Sequence, residues 1–327
     1  MQLSNKFLDI WCTKKTESKS DTYKASPEFL RKFGNLRLRP LERKWLMEPV
    51  KQKEMVENGF SEKEVEDSQR FLTRLNGFYS SIRLDIQIPY SGITAEDMVQ
   101  LSRFHSIPYL VKKPRAGGRF FHPGVSYQRI SSSLRPLITI NGEETSEIDL
   151  SASVLQFLGI VAKGIVSEKR LGLGNGADPY LYFLDELNSK ENLDLYQENP
   201  ISRDELKKVL YTAAFSLRDS QELNLNRKLR QMNRNYTHKG LENLFPDFFE
   251  MLKKLKEHSP LHQTVFREES RYAQRVLEEG CLKEGVIIFP IHDSFITSKK
   301  KIKALSNIMN NVSKKLYGRK LIYKVKY

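Results

Sequence analysis

Only two cysteines, Cys12 and Cys281, occur in 327 residues, too few for a disulfide framework or a thiolate-rich structural zinc site. A reducing, intracellular and cytoplasmic setting is expected. No run approaches the roughly 18 consecutive apolar residues of a membrane-spanning helix. The opening MQLSNKFLDIWCTKK also lacks the apolar stretch of about 7 to 15 residues that marks a secretory signal, so no membrane partner is expected. Acidic residues are missing altogether after Asp293, where Lys299, Lys300, Lys301, Lys303, Lys314, Lys315, Arg319, Lys320, Lys324 and Lys326 follow without a counter-charge. That tail is either a solvated basic face or part of a polyanion surface.

The balance of charge favours a polyanionic partner. Lys and Arg number 54 against 40 Asp and Glu, a formal +14, which suits nucleic acid. The length allows two or three lobes around a cleft. Residues 1–115 read as a mostly helical N-terminal region, punctuated near its end by Pro89, Gly92, Pro108 and Pro114. Beyond 115, PLITINGEETSEIDL predicts a hairpin turning at Asn141-Gly142, and SASVLQFLGIVAKG predicts a buried helix with Ser151 as a candidate N-cap and Gly164 as its stop. A long helical stretch covers 165–262, and in it Ser202 and Glu205 form a capping-box pattern. From 263 a helix stopped by Gly280, the hairpin GVIIFPIHDSFITSKK, an amphipathic helix and the strand KLIYKVKY complete the chain. The expected fold is α+β, an antiparallel sheet with a helical insertion.

Two aspartates carry the chemistry. Asp149 falls near the end of one expected strand and Asp293 in the tight turn of the late hairpin. Each alone is an ordinary turn or capping residue; on adjacent strands they would converge into a site for Mg²⁺, with Mn²⁺ as a possible substitute. Arg203, Lys207, Tyr211 and Phe215 are spaced by four, so a helix presents them as one stripe running from cationic to aromatic. Such a stripe can hold a triphosphate and stack a base; alternatively it is a helix with a solvated start and a packed end.

In order, DLSASVLQF, RDELKKVLYTAAF and IHDSF resemble motifs A, B and C of the superfamily that joins family A DNA polymerases to the bacteriophage-type single-subunit RNA polymerases. GGRFFHPGVSYQRISSSLR resembles the segment before motif A, and DPYLYFL the segment between A and B. The resemblance covers roughly residues 118–298 and implies a right-hand core: palm at 116–164 and 263–327, helical fingers at 165–262, and a thumb-like or template-contacting region at 1–115. It implies Asp149 and Asp293 as catalytic ligands of two Mg²⁺ ions, and Arg203, Lys207 and Tyr211 on the incoming nucleotide. Phe215 stands where a tyrosine is usual, and His292 would position the growing 3' end. Arg119, Gln128 and Arg135 would contact template and primer.

The fifth residue after the motif A aspartate, usually a glutamate that blocks a 2'-hydroxyl in the DNA polymerases, is Val154. Ser151, Ser153, Gln156 and the serine of HDSF follow the RNA polymerase pattern. The expected activity is template-directed nucleotide addition to a 3'-hydroxyl, leaning to RNA polymerase or primase-like synthesis. Its partners would be DNA or RNA template and primer and nucleoside triphosphates. The alternatives are DNA synthesis without a proofreading exonuclease, a non-catalytic nucleic-acid-binding protein with a retained palm, and template-independent tailing.

Overall fold

The computed structural model describes residues 12–15, 22–25 and 51–327, except for 88–92, 95–96, 98–100, 102–103, 105–107, 115–116, 123–125, 174–177, 197–198 and 258–259. Pro89 and Gly92 lie outside the described residues. Strands β1 (Cys12–Lys15), β2 (Thr22–Ala25) and β4 (Ile93–Thr94) form a small sheet, and β5 (Val111–Lys113) pairs with β6 (Arg119–Phe121). Between these lie helices α1 (Gln52–Glu57) and α2 (Glu62–Tyr79) and strand β3 (Leu84–Ile86).

The central sheet runs in the order β3, β7 (Ile138–Ile140), β8 (Glu143–Leu150), β10 (Ser294–Ser298), β9 (Phe289–Ile291), with β11 (Tyr323–Lys326) also paired to β8. Its pairings are antiparallel. Asn141 at φ 50° and Gly142 at φ 83° make the tight turn that the Asn-Gly pair predicts. Strand alternation then separates two faces. Ile148, Leu150 and Phe295 are buried in the core, while Glu147, Asp149 and Ser294 take the opposite face.

Helix α3 (Ser153–Val161) follows β8 and packs against α10 (Leu261–Leu277). The helical insertion comprises α4 (Pro179–Leu187), α5 (Lys190–Tyr196), α6 (Arg203–Phe215), α7 (Gln221–Gln231), α8 (His238–Leu244) and α9 (Pro246–Leu255), and α11 (Ile302–Tyr317) precedes β11. One apolar cluster joins residues of α2, α3, α4, α6, α9, α10, α11 and the central sheet.

The described part of the N-terminal 115 residues holds helices α1 and α2 and five short strands. One of these, β3, extends the central sheet through Leu84↔Ile140, and position 115 falls between β5 and β6. Short runs such as LDI are too brief for a helix, and a neighbouring strand edge captures them. Two expectations need correction. Ser151 is not the N-cap of α3. Ala152 is, in the left-handed conformation at φ 48°, and this turns the chain sharply between strand and helix. Gly280 does not stop α10. The chain continues as a π-helical turn over Glu278–Lys283, and a Cβ on Gly280 would meet Ile288 Cδ1 at 2.2 Å. Gly280 is there for close packing; Gly285, at φ 66°, makes the turn out.

Candidate active site

Asp149 and Asp293 meet because β8 and β10 are paired with Ser294 opposite Asp149. The amide of Leu150 donates to the carbonyl of Asp293 at 3.0 Å, which ties the two aspartate-bearing segments together. Asp293 sits in the two-residue turn between β9 and β10, next to His292 at φ 51°. Left-handed backbone at a non-glycine residue costs energy that the surroundings must supply. It recurs at Ala152, three residues past Asp149, so both carboxylates stand beside strained turns. The Ser153 hydroxyl donates to Asp293 Oδ2 at 2.8 Å, fixing one carboxylate from the start of α3.

A cleft of about 250 Å³ opens above the pair, and α6 contributes Arg203, Lys207 and Tyr211 to its wall. The start of α6 is secured by a complete capping box: Ser202 accepts from the Glu205 amide while Glu205 accepts from the Ser202 amide. Arg203 Nε donates to Asp178 Oδ2 at 2.7 Å and its guanidinium lies 4.6 Å from the Tyr180 ring centroid. The hydrogen bond to Asp178 raises the Arg203 pKa further. Tyr211 is pushed up to about 12, first by burial and then by the Asp293 and Glu269 charges, so it faces the cleft as a neutral phenol.

The cleft floor carries a second charged group. Glu147 is 1% exposed, accepts from Arg135 Nη1 at 3.2 Å and from the Tyr327 hydroxyl at 2.8 Å, and has Lys326 Nζ at 3.4 Å. Burial pushes its carboxyl up, but Tyr327, Arg135 and Lys326 outweigh that and hold it below the usual range. Lys326 Nζ also lies 2.9 Å from Asp149 Oδ2 and Lys324 Nζ 3.6 Å from it.

Of the remaining expected site residues, His292 and Arg135 line the cleft. Arg119 lies beneath it: its Nη2 pairs with the buried Glu269 at 2.5 Å and its guanidinium stacks 3.6 Å from the Phe266 ring centroid. Burial raises Glu269 to about 7 despite that pairing, and burial together with the Arg119 charge lowers His292. Arg119, Glu269 and His292 surround a cavity of about 10 Å³, room for one water. Arg119 Nε, Glu269 Oε1 and His292 Nδ1 are buried there without a protein partner.

Gln128 is spent on the scaffold: it donates to the carbonyls of Phe120 and Pro290 and accepts from the His122 amide, binding β6 to β9. Like Arg119 and Gln128, two further residues do not line the cleft. Val154 is 3% exposed within the main core, and Phe215 packs against Tyr211 and Phe266 beside a second cleft, which Tyr211 also lines. Gln156 also turns inward, donating to the carbonyls of Ser151 and Ile322 and accepting from the Ile322 amide.

Glu147 and Tyr180 line the cleft without having been expected there, and so do Lys324 and Lys326, which the sequence marks only as part of the basic tail. Alternation along EIDL, which puts Glu147 on the face of Asp149, was the available signal for the first.

Among the described residues no three His, Cys, Asp or Glu side chains gather in metal-ligating geometry. The donors are therefore two hard carboxylates, which suit Mg²⁺ completed by water and substrate phosphate and do not suit zinc. An ammonium group already lies against Asp149 Oδ2, so that oxygen is placed to accept a cation.

No family model and no curated protein matches the chain. Among solved structures it is similar to the POL domain of Pol1 from M. smegmatis, in a complex with DNA primer-template and dNTP. The TM-score is 0.45 and the identity 12%, over 99% of this chain and 58% of that one. This chain thus spans less than two thirds of that domain's length.

Proposed function

We propose that this chain is a template-directed nucleotidyltransferase that extends a 3'-hydroxyl with release of pyrophosphate. One observation carries the reading: Asp149 on β8 and Asp293 in the turn that enters the paired strand β10 share one cleft with a helix that presents Arg203, Lys207 and Tyr211. That is the charge order of phosphoryl transfer, acidic where a divalent ion is needed and cationic where phosphates lie.

Asp149 and Asp293 would hold Mg²⁺, in the proposed scheme two ions, which supplies Lewis-acid stabilisation of the attacking and leaving oxygens. Ser153 keeps the Asp293 carboxylate in one orientation. Arg203, fixed by Asp178, and Lys207 bind and orient the triphosphate. Tyr211 offers its ring to the base or sugar, and His292 and Arg135 border the end of the growing strand. Held in place, the reacting groups need little further ordering to reach the transition state.

The sugar preference leans to ribonucleotides on the motif resemblance alone, because Val154, which replaces the glutamate of that motif, is buried away from the cleft. The templates are DNA or RNA. A non-catalytic nucleic-acid-binding reading draws on one observation, the lysine against Asp149.

The experiment is extension of a labelled primer on DNA and RNA templates, with ribonucleotides and deoxyribonucleotides supplied separately, comparing wild type with Asp293→Asn. Product that falls by roughly a thousandfold in the variant supports catalysis. Nucleic-acid binding with no Asp293-dependent product in any condition sinks it in favour of the binding reading.

A further inference from the structure

Strand β11 lies along β8 with Lys324 opposite Asp149 and Lys326 opposite Glu147. Directly opposed residues of an antiparallel pair share a face, so both lysines project onto the acidic floor of the cleft. Lys326 Nζ reaches Asp149 Oδ2 at 2.9 Å and Glu147 Oε1 at 3.4 Å; Lys324 stays 3.6 Å from Asp149 and is more exposed.

Glu147 does not depend on Lys326. Arg135 and the Tyr327 hydroxyl already satisfy it. Asp149 does: the ion pairs it makes among the described residues are with these two lysines, and Lys326 is the nearer.

We propose that Lys326 is a built-in counter-ion that competes with the divalent cation for Asp149 and so sets how tightly the centre takes up metal. The inference rests on the metal role of Asp149 proposed above. The oxygen that would ligate the ion is the one the ammonium contacts, and two cations on one carboxylate oxygen in a partly buried cleft repel each other. One has to leave. Lys326 is built to do so: its side chain is 34% exposed on a long flexible stem, whereas the Arg135 guanidinium is fixed to Glu147 and only 18% exposed. With Lys326 in place, the Asp149 charge is balanced before metal arrives; with metal bound, the ammonium is released toward solvent or substrate phosphate. Lys326 is on this account a positioning residue, acting through Asp149.

The test is Mn²⁺ titration of the full chain by calorimetry and electron paramagnetic resonance, without nucleotide or nucleic acid. Lys326→Met should bind Mn²⁺ roughly tenfold tighter than wild type, and Lys326→Arg, which keeps the charge, no tighter than wild type. Lys324→Met should move affinity less than Lys326→Met. Lys326→Gln repeats the first expectation should the methionine variant fold poorly, with circular dichroism melts as the control. Affinity in the folded neutral variants that equals or falls below wild type overturns the inference, while Asp149-dependent binding in wild type leaves the metal reading standing. If Asp149→Asn binds Mn²⁺ as well as wild type, or neither wild type nor Lys326→Met binds it, the metal reading falls and the inference with it.

Discussion

Asp178 uses its two carboxylate oxygens for two elements. Oδ1 accepts from the Tyr180 amide and caps α4, and Oδ2 accepts from Arg203. Asp178→Asn retains a cap acceptor, because asparagine caps about as well, but loses the charge that orients the guanidinium. The expected outcome is a rise of roughly tenfold in the KM for nucleotide with a smaller change in kcat and little change in melting temperature. Steady-state extension kinetics check it. Val154→Glu tests the sugar gate under a constraint visible only in the structure: the position is buried, so an unpaired carboxylate there should cost roughly 2 kcal/mol or more of stability. The informative quantity is the ratio of ribonucleotide to deoxyribonucleotide use by the folded variant. A selective fall for ribonucleotides upholds the gate; equal loss for both sugars sinks it. Asp149 and Asp293 were legible because each sits in a short segment whose local pattern predicts a strand end or a turn. The pairing of Lys326 with Glu147 spans 179 positions and depends on which strand adopts which edge, so no local window contains it.

Helix α6 is the element where sequence and structure agree most closely, and its start explains why. Ser202 and Glu205 are three residues apart, and the hydrogen bonds they imply are local ones that need no tertiary context. What the local pattern omits is Arg234, whose Nη2 donates to Glu205 Oε2 at 2.7 Å and whose guanidinium also donates to the carbonyls of Asn199 and Pro200. Ser202→Ala should cost about 1 kcal/mol of stability, measured by denaturant unfolding. The same site has a pH signature. The Ser202 amide, with Arg234, holds the Glu205 carboxyl at about 2, against an ordinary 4.5. A carboxylate lowered in the folded state stabilises fully above the unfolded value and loses that contribution as pH falls through the folded one. The stability gap between wild type and Glu205→Gln should therefore be widest above 4.5 and close as pH drops toward 2; a gap that does not narrow over that range argues against the assignment. Elements fixed by packing were less legible. The π-helical turn after α10 carries Gly280 closely against Ile288, and a glycine in a sequence does not announce whether it ends a helix or makes room for a neighbour.

At the scale of the whole molecule, the +14 charge is a statement about partners, and the structure divides it. Part of the basic tail is engaged: Lys299 with Glu144, Lys300 with Glu143, Arg319 with Glu168, and Lys324 and Lys326 at Asp149. Lys301, Lys303, Lys314, Lys315 and Lys320 are exposed and make no ion pair among the described residues, so they remain to meet phosphates. Binding through such groups releases counterions, and log affinity falls linearly with log salt, by roughly 0.7 to 0.9 per phosphate contact. Affinity for a primer-template should therefore drop by roughly a hundredfold or more between about 50 and 200 mM salt if four or more phosphates are neutralised. Lys314 and Lys315, near the end of α11, offer the sharper test. Replacing both with glutamine should shallow the salt slope by up to about two contacts while leaving the Mn²⁺ affinity of the Asp149 centre unchanged, because charge on an exposed helix is screened within about 10 Å. Fluorescence anisotropy across a salt series measures the first and the metal titration the second. An unaltered slope would make α11 a solvated basic face and move the nucleic-acid contacts to other cationic surfaces of the chain.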